Sequence, residues 1–172
     1  MGNSESGTAV STADTLDPEE RKCLADIAEH GCHILAVWDD EGNEPDFAYS
    51  VGFPVSVGQP EVLVYGLKPE IMKSMINEIR WQCAEGLELR DGQRIHGLLQ
   101  GHDCVARWCS SREAIEEHLG WASWYHNTQR GADVEGFYQI VWPGAASGLF
   151  PWDEGVSQDV IDAQPALYES VQ

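Results

Sequence analysis

Glu61-Val62-Leu63-Val64-Tyr65-Gly66-Leu67-Lys68-Pro69-Glu70-Ile71-Met72 is the stretch on which the fold turns. The consecutive apolar residues Val62 to Tyr65 have the pattern of a central, buried strand. Pro69, which suits a first helical position, then opens the clearest helix of the chain. Met72, Met75, Ile76, Ile79 and Cys83 recur at helical spacing, and Gly86 is placed to close it. Working back, residues 47–53 and 33–38 read as two strands of a hairpin across the polar turn Asp39-Asp40-Glu41-Gly42-Asn43. Residues 54–60 read as a loop. Asp17-Pro18-Glu19-Glu20 carries a capping box, so a helix runs from there to Gly31.

Working forward, residues 87–99 predict a short hairpin around Asp91-Gly92, and 103–109 a strand. Ser110-Ser111-Arg112-Glu113 reads as a second capping box, before a helix with Ile115, Leu119, Ala122 and Tyr125 on one face. Trp121, Trp124 and His126 then look partly away from that face. Residues 136–142 make the last strand, and the remainder is loop with a short turn of helix near Val160. Hairpins joined by helical connections predict an α+β fold: a mostly antiparallel sheet with about three helices packed on one side. The expected organisation is a tail at 1–16, one domain at 17–168 and a second tail at 169–172.

Composition narrows the function classes. A chain of 172 residues with 42% hydrophobic content suffices for one core. The net charge of −19 repels phosphate backbones, so direct nucleic-acid binding is not expected. Such charge serves solubility first; mimicry of DNA or docking onto a basic partner are the other readings. No apolar run approaches the roughly 20 residues of a membrane span, and the first twelve residues lack a signal peptide's apolar centre. Cys23, Cys32, Cys83, Cys104 and Cys109 are scattered without a CxxC, as for reduced thiols in a cytoplasm.

Three stretches share a resemblance: Phe47-Ala48-Tyr49-Ser50-Val51-Gly52-Phe53; Gln59-Pro60-Glu61 with the strand to Leu67; and Gln139-Ile140-Val141-Trp142-Pro143 continued by Gly148-Leu149-Phe150-Pro151-Trp152-Asp153. In that order they resemble the bacterial family catalogued as domain of unknown function 4262, over about residues 17–167. The resemblance implies a bacterial, soluble, compact domain and brings no activity with it. That family often has His before Pro-Glu in the second motif, where this chain has Gln59.

The chemistry-bearing clusters each have two readings. His30-Gly31-Cys32-His33 has metal-type residues, but four successive positions at a helix-to-strand junction do not converge tetrahedrally, so no metal is expected. Cys32 follows a helix C-terminus, the wrong polarity for a thiolate. Tyr49-Ser50-Val51-Gly52 lacks the first glycine of a nucleophile elbow. Trp121, Trp124, Trp142 and Trp152 either cover the core or line a groove. Phe150-Pro151-Trp152-Asp153 either closes over a pocket or pins the C-terminal segment, with Asp153 capping a turn. The candidate ligand- or partner-binding set is Tyr49, Ser50, His126, Trp142, Trp152 and Asp153, with no catalytic residue assigned.

The first functional reading is a non-catalytic binding module for a basic protein, as in immunity or anti-defence, or for a small molecule as a regulator. The alternative is a small-molecule or flavin-type cofactor-binding enzyme, by loose analogy of the hairpin, Pro-Glu, strand and helix to flavin-binding split barrels. DNA mimicry ranks below both, and the cofactor, if any, is unknown.

Overall fold

The computed structural model describes residues 15–168. The expected tails lie outside that range, apart from Thr15 and Leu16. Helix α1 (Pro18–His30) starts on both arms of the expected capping box, with Glu20 N donating to Asp17 Oδ1 at 2.8 Å and Asp17 N to Glu20 Oε1 at 2.9 Å. It stops at Gly31, whose left-handed backbone lets its N–H cap Ile27 O. The hairpin of β1 (His33–Val37) and β2 (Phe47–Val51) follows.

A one-turn helix, α2 (Phe53–Ser56), occupies part of the expected loop, and β3 (Glu61–Tyr65) leads into α3 (Pro69–Ala84). The second hairpin joins β4 (Arg94–Leu99) to β5 (His102–Cys109). Its turn is therefore at Gln100-Gly101, not at Asp91-Gly92. The latter pair lies alongside β5, where Gly92 N donates to Ala106 O and Asp91 accepts from Trp108 N.

The expected single helix after Ser111 is two, α4 (Arg112–His118) and α5 (Gly120–Arg130), broken at buried Leu119. The cap is Ser111, bonded to Ala114 N, so Glu113 does not sit at the third helical position that a capping box requires. Strand β6 (Phe137–Val141) and helix α6 (Gln158–Ala163) complete the chain.

The strands form one sheet in the order β1-β2-β3-β6-β5-β4. Among the described residues only β3 and β6 pair in parallel; the other four pairings are antiparallel. The α+β class and the mostly antiparallel sheet are as expected, but the described residues hold six helices rather than about three. They also cover both faces instead of one. On one face Met72, Met75, Ile76, Ile79 and Cys83 of α3 meet Ala48, Val62, Val64, Ala106 and Ile140. On the other, Cys23 and Ile27 of α1, Ile115 of α4 and Ala122 and Tyr125 of α5 meet Tyr49, Leu63, Tyr65 and Phe137.

The physical reason lies in the central pair. Every residue of β3 and β6 is buried, so both faces of these strands need apolar cover. Each large side chain buried there contributes about 1.5–3 kcal/mol. Beyond β3, Gly66 has a positive φ, and a Cβ at that position would lie 2.3 Å from Ala163 O. That close approach brings the end of α6 against the sheet. There Gln164 closes on the backbone of Trp142, its Oε1 accepting from Trp142 N and its Nε2 donating to Trp142 O. Among the described residues no helix is long and apolar enough to cross a membrane.

Candidate functional site

The six candidate residues fall in four places. Ser50 and His126 are brought together, and the residue that joins them is Glu61. This glutamate begins β3, is 1% exposed, and accepts four hydrogen bonds. Its Oε1 takes Ser50 Oγ at 2.7 Å and Phe53 N at 3.1 Å; its Oε2 takes Gly52 N at 2.7 Å and His126 Nε2 at 2.7 Å. Ser50 Oγ in turn accepts from Val62 N.

The helical stripe Ala122, Tyr125, His126 puts the imidazole inward, 2% exposed, rather than partly away from the core as expected. Position 126 lies four residues after Ala122 and shares its face. The far ring nitrogen, Nδ1, meets Arg130 Nη1 at 2.9 Å. A guanidinium only donates, so Nδ1 accepts and the ring proton sits on Nε2, facing Glu61. Gly131, left-handed, caps α5 at His126 O and holds this i, i+4 pair at the last turn.

The charge of Glu61 reaches its neighbours. Burial pushes the Cys23 thiol up to about 12, and Asp26 and Glu61 add to the rise. Burial likewise raises the Tyr125 phenol, with a contribution from Glu61. Beside the cluster is a cleft of about 400 Å³ lined by Gln59, Pro60, Trp108, His126, Arg130 and Val134 among others. Gln59 is occupied structurally, its Oε1 accepting from Leu89 N at 3.0 Å.

Tyr49 lies on the sheet face covered by α1 and α5, with its hydroxyl accepting from Trp121 N. Trp121 and Trp124 meet edge to face and pack on the same core, so they cover rather than line. Trp142 is at the opposite end of β6 from the cleft, donating its indole N–H to Tyr65 O at 2.7 Å.

Trp152 and Asp153 form the fourth place. Trp152 is 44% exposed and stacks on Phe150, with centroids 5.1 Å apart and planes 3° from parallel. The Arg107 guanidinium lies over both Trp152 and Tyr168, at 5.2 and 4.5 Å, and its Nε donates to Asp91 Oδ1. Arg94 lies over Phe150. Asp153 caps the turn, with Oδ2 accepting from Phe150 N at 2.8 Å. These residues line an open groove of about 750 Å³ beside β5.

Thus parts of the motifs quoted from the sequence contribute to two structures, a buried carboxylate cluster and an aromatic groove. A family model described as a domain of unknown function, DUF4262, matches residues 26–157, which hold both apart from Tyr168. The chain belongs to the DUF4262 family. No curated protein and no solved structure matches this DUF4262 chain.

Glu61 and Arg107 were the residues that sequence reasoning passed over. A signal for Glu61 was present: it directly precedes a wholly apolar strand, and a carboxylate buried there needs partners. Arg107 had none, because its ring partners come from a segment more than forty residues away. Burial pushes the thiols of Cys32 and Cys83 to about 11 and that of Cys104 to about 12, which suits packing rather than nucleophilic attack. Among the described residues no group of three or more His, Cys, Asp or Glu could hold a metal ion.

Proposed function

We propose that this DUF4262 chain is a non-catalytic binding module that docks a basic partner protein on the groove around Trp152. The carrying observation is the half-exposed indole stacked on the Phe150 ring and approached by the Arg107 guanidinium. Trp, Tyr and Arg are the residues that dominate protein–protein hot spots, and pre-stacking lowers the entropy lost when they are covered. The net charge of −19 supplies long-range attraction to a basic surface. The groove's own charges, Arg94 and Arg107 against Asp91 and Asp153, balance one another, so binding there rests on ring faces and shape.

The test is capture at low salt from the organism that encodes the chain, followed by reconstitution with the purified partner. Binding should weaken as salt is raised and be lost in Trp152→Ala with the fold intact by circular dichroism. A reconstituted complex indifferent to Trp152→Ala would overturn the groove as the docking surface.

A second reading, a small-molecule enzyme, is favoured by one observation: Glu61 and His126 adjoin a cleft. Against it, all four hydrogen bonds of Glu61 go to the protein itself, and His126 spends both ring nitrogens on Glu61 and Arg130. Native mass and a visible spectrum of gently purified protein test this reading, since a bound organic mass or a chromophore would put it first.

A further inference from the structure

The His30-Gly31-Cys32-His33 junction lines a second groove, of about 900 Å³, between α1, β1 and α3. Its charge runs against that of the molecule. Three of the chain's ten Lys and Arg residues, Lys22, Lys73 and Arg80, face it together with His30 and His33. Such a concentration in a chain of net charge −19 makes the groove a local positive site. On α3, Lys73, Asn77 and Arg80 follow at i, i+4 and i+7 and so form one polar stripe along its wall.

The acids that face the groove are Asp26 and Glu29. Asp26 is already engaged by Lys22 at 3.2 Å and by His33 Nδ1 at 2.7 Å. Glu29 is an exposed side chain 3.8 Å from His30. Neither pairs with Lys73 or Arg80. Arg80 reaches beneath Gly31, where its Nη1 would lie 3.3 Å from a Cβ at that position. Its Nε is buried without a hydrogen-bond partner. That Nε is closed to solvent, so an anion entering from the groove would meet the two Nη groups, which no described residue hydrogen-bonds. Its charge is felt locally: burial raises the Cys32 thiol, and Arg80 pulls in the opposite direction.

We propose that this groove is an oxyanion site that takes a phosphate group, free or carried as a monoester on a small molecule, between Lys73 and Arg80 with Asn77 alongside. Arg80 supplies the planar donor pair that suits phosphate oxygens, and Lys73 a point charge. The volume beyond these side chains leaves room for an organic group on the ester oxygen. The site is separate from the Trp152 groove and stands or falls independently of it.

Inorganic phosphate, glycerol phosphate and chloride at matched ionic strength, titrated into the full chain, provide the test, read by calorimetry and by amide shifts in NMR. Saturable binding of phosphate or its ester, with shifts confined to residues 30–34 and 73–80, is expected. Chloride should not reproduce it. Tighter binding of the ester would name a phosphorylated small molecule as the ligand class, and equal binding would name free phosphate. Lys73→Gln, at an exposed position, and Arg80→Gln should each weaken binding about tenfold or more. Should Arg80→Gln fail to fold, Lys73→Gln decides. Absence of saturable binding, or an affinity unchanged in Lys73→Gln, would overturn the site.

Discussion

The Glu61 cluster and the Trp152 groove are both built of side chains that sequence motifs carry, yet they spend their chemistry in opposite directions. Glu61 turns every acceptor inward, onto Ser50, Gly52, Phe53 and His126. Trp152 leaves almost half its surface open while its ring is stacked on Phe150 and approached by Arg107. A buried polar group with all its partners in place fixes one arrangement of the chain, whereas an exposed, pre-stacked ring retains surface to bury against something else. The contrast predicts that one region governs folding and the other recognition.

The largest effect that would break this contrast is on stability. Glu61→Ala leaves two backbone N–H groups, a hydroxyl and an imidazole N–H without their buried acceptor, and should cost about 3–5 kcal/mol in urea unfolding. A loss under about 1 kcal/mol would mean the cluster is not structural and would return Glu61 to consideration as a working group.

Trp152→Ala comes next, on the recognition side. Unfolding free energy should fall by no more than about 1 kcal/mol, since much of the ring is already in water. Affinity for the partner should fall by about thirtyfold or more, measured by calorimetry. The reverse pattern would make Trp152 a strut for the C-terminal segment.

Asp153→Ala sharpens the same boundary. It removes one acceptor, for Phe150 N, and should cost about 1 kcal/mol by thermal or urea unfolding. Partner binding should weaken less than in Trp152→Ala, because the turn loosens while the rings persist.

The smallest effect calibrates the scale in a region outside both. At Asp26 burial favours the protonated form, but hydrogen bonds from His33 and Lys22 outweigh it and hold the carboxyl below its usual range. The folded-state value is therefore the lower one. The contribution is full above the unfolded carboxyl's pKa of about 3.9 and is lost as pH falls through the folded value. Asp26→Asn should cost a few tenths to about 1 kcal/mol at pH 7, and the difference from wild type should shrink in strongly acid buffer.

How far the sequence could be read follows from the range of each interaction. The capping box at Asp17, the Gly31 stop and the α3 stripe are short-range devices, and the structure has them where the pattern placed them. The split at Leu119 and the true turn at Gln100-Gly101 were hidden. A helical stripe runs on through a break when the residue at the break is apolar, and Asp91-Gly92 has turn chemistry wherever it lies. Ser50 and His126 could each be nominated from local pattern, but their common partner lies 11 and 65 residues away respectively.

By itself the sequence determined most of the strands, the principal helices, the α+β class and the acidic charge, because periodicity, caps and composition act within a few residues or over the whole chain at once. Tertiary structure decided the insertion of β6 beside β3 and the cover on both sheet faces. It also decided the union of Ser50, Glu61 and His126, the placing of Arg107 over Trp152 and Tyr168, and the placing of Lys73 and Arg80 against the His30–His33 junction. Those arrangements depend on which distant segments meet, and that is settled by packing the whole core rather than by any one stretch of chain.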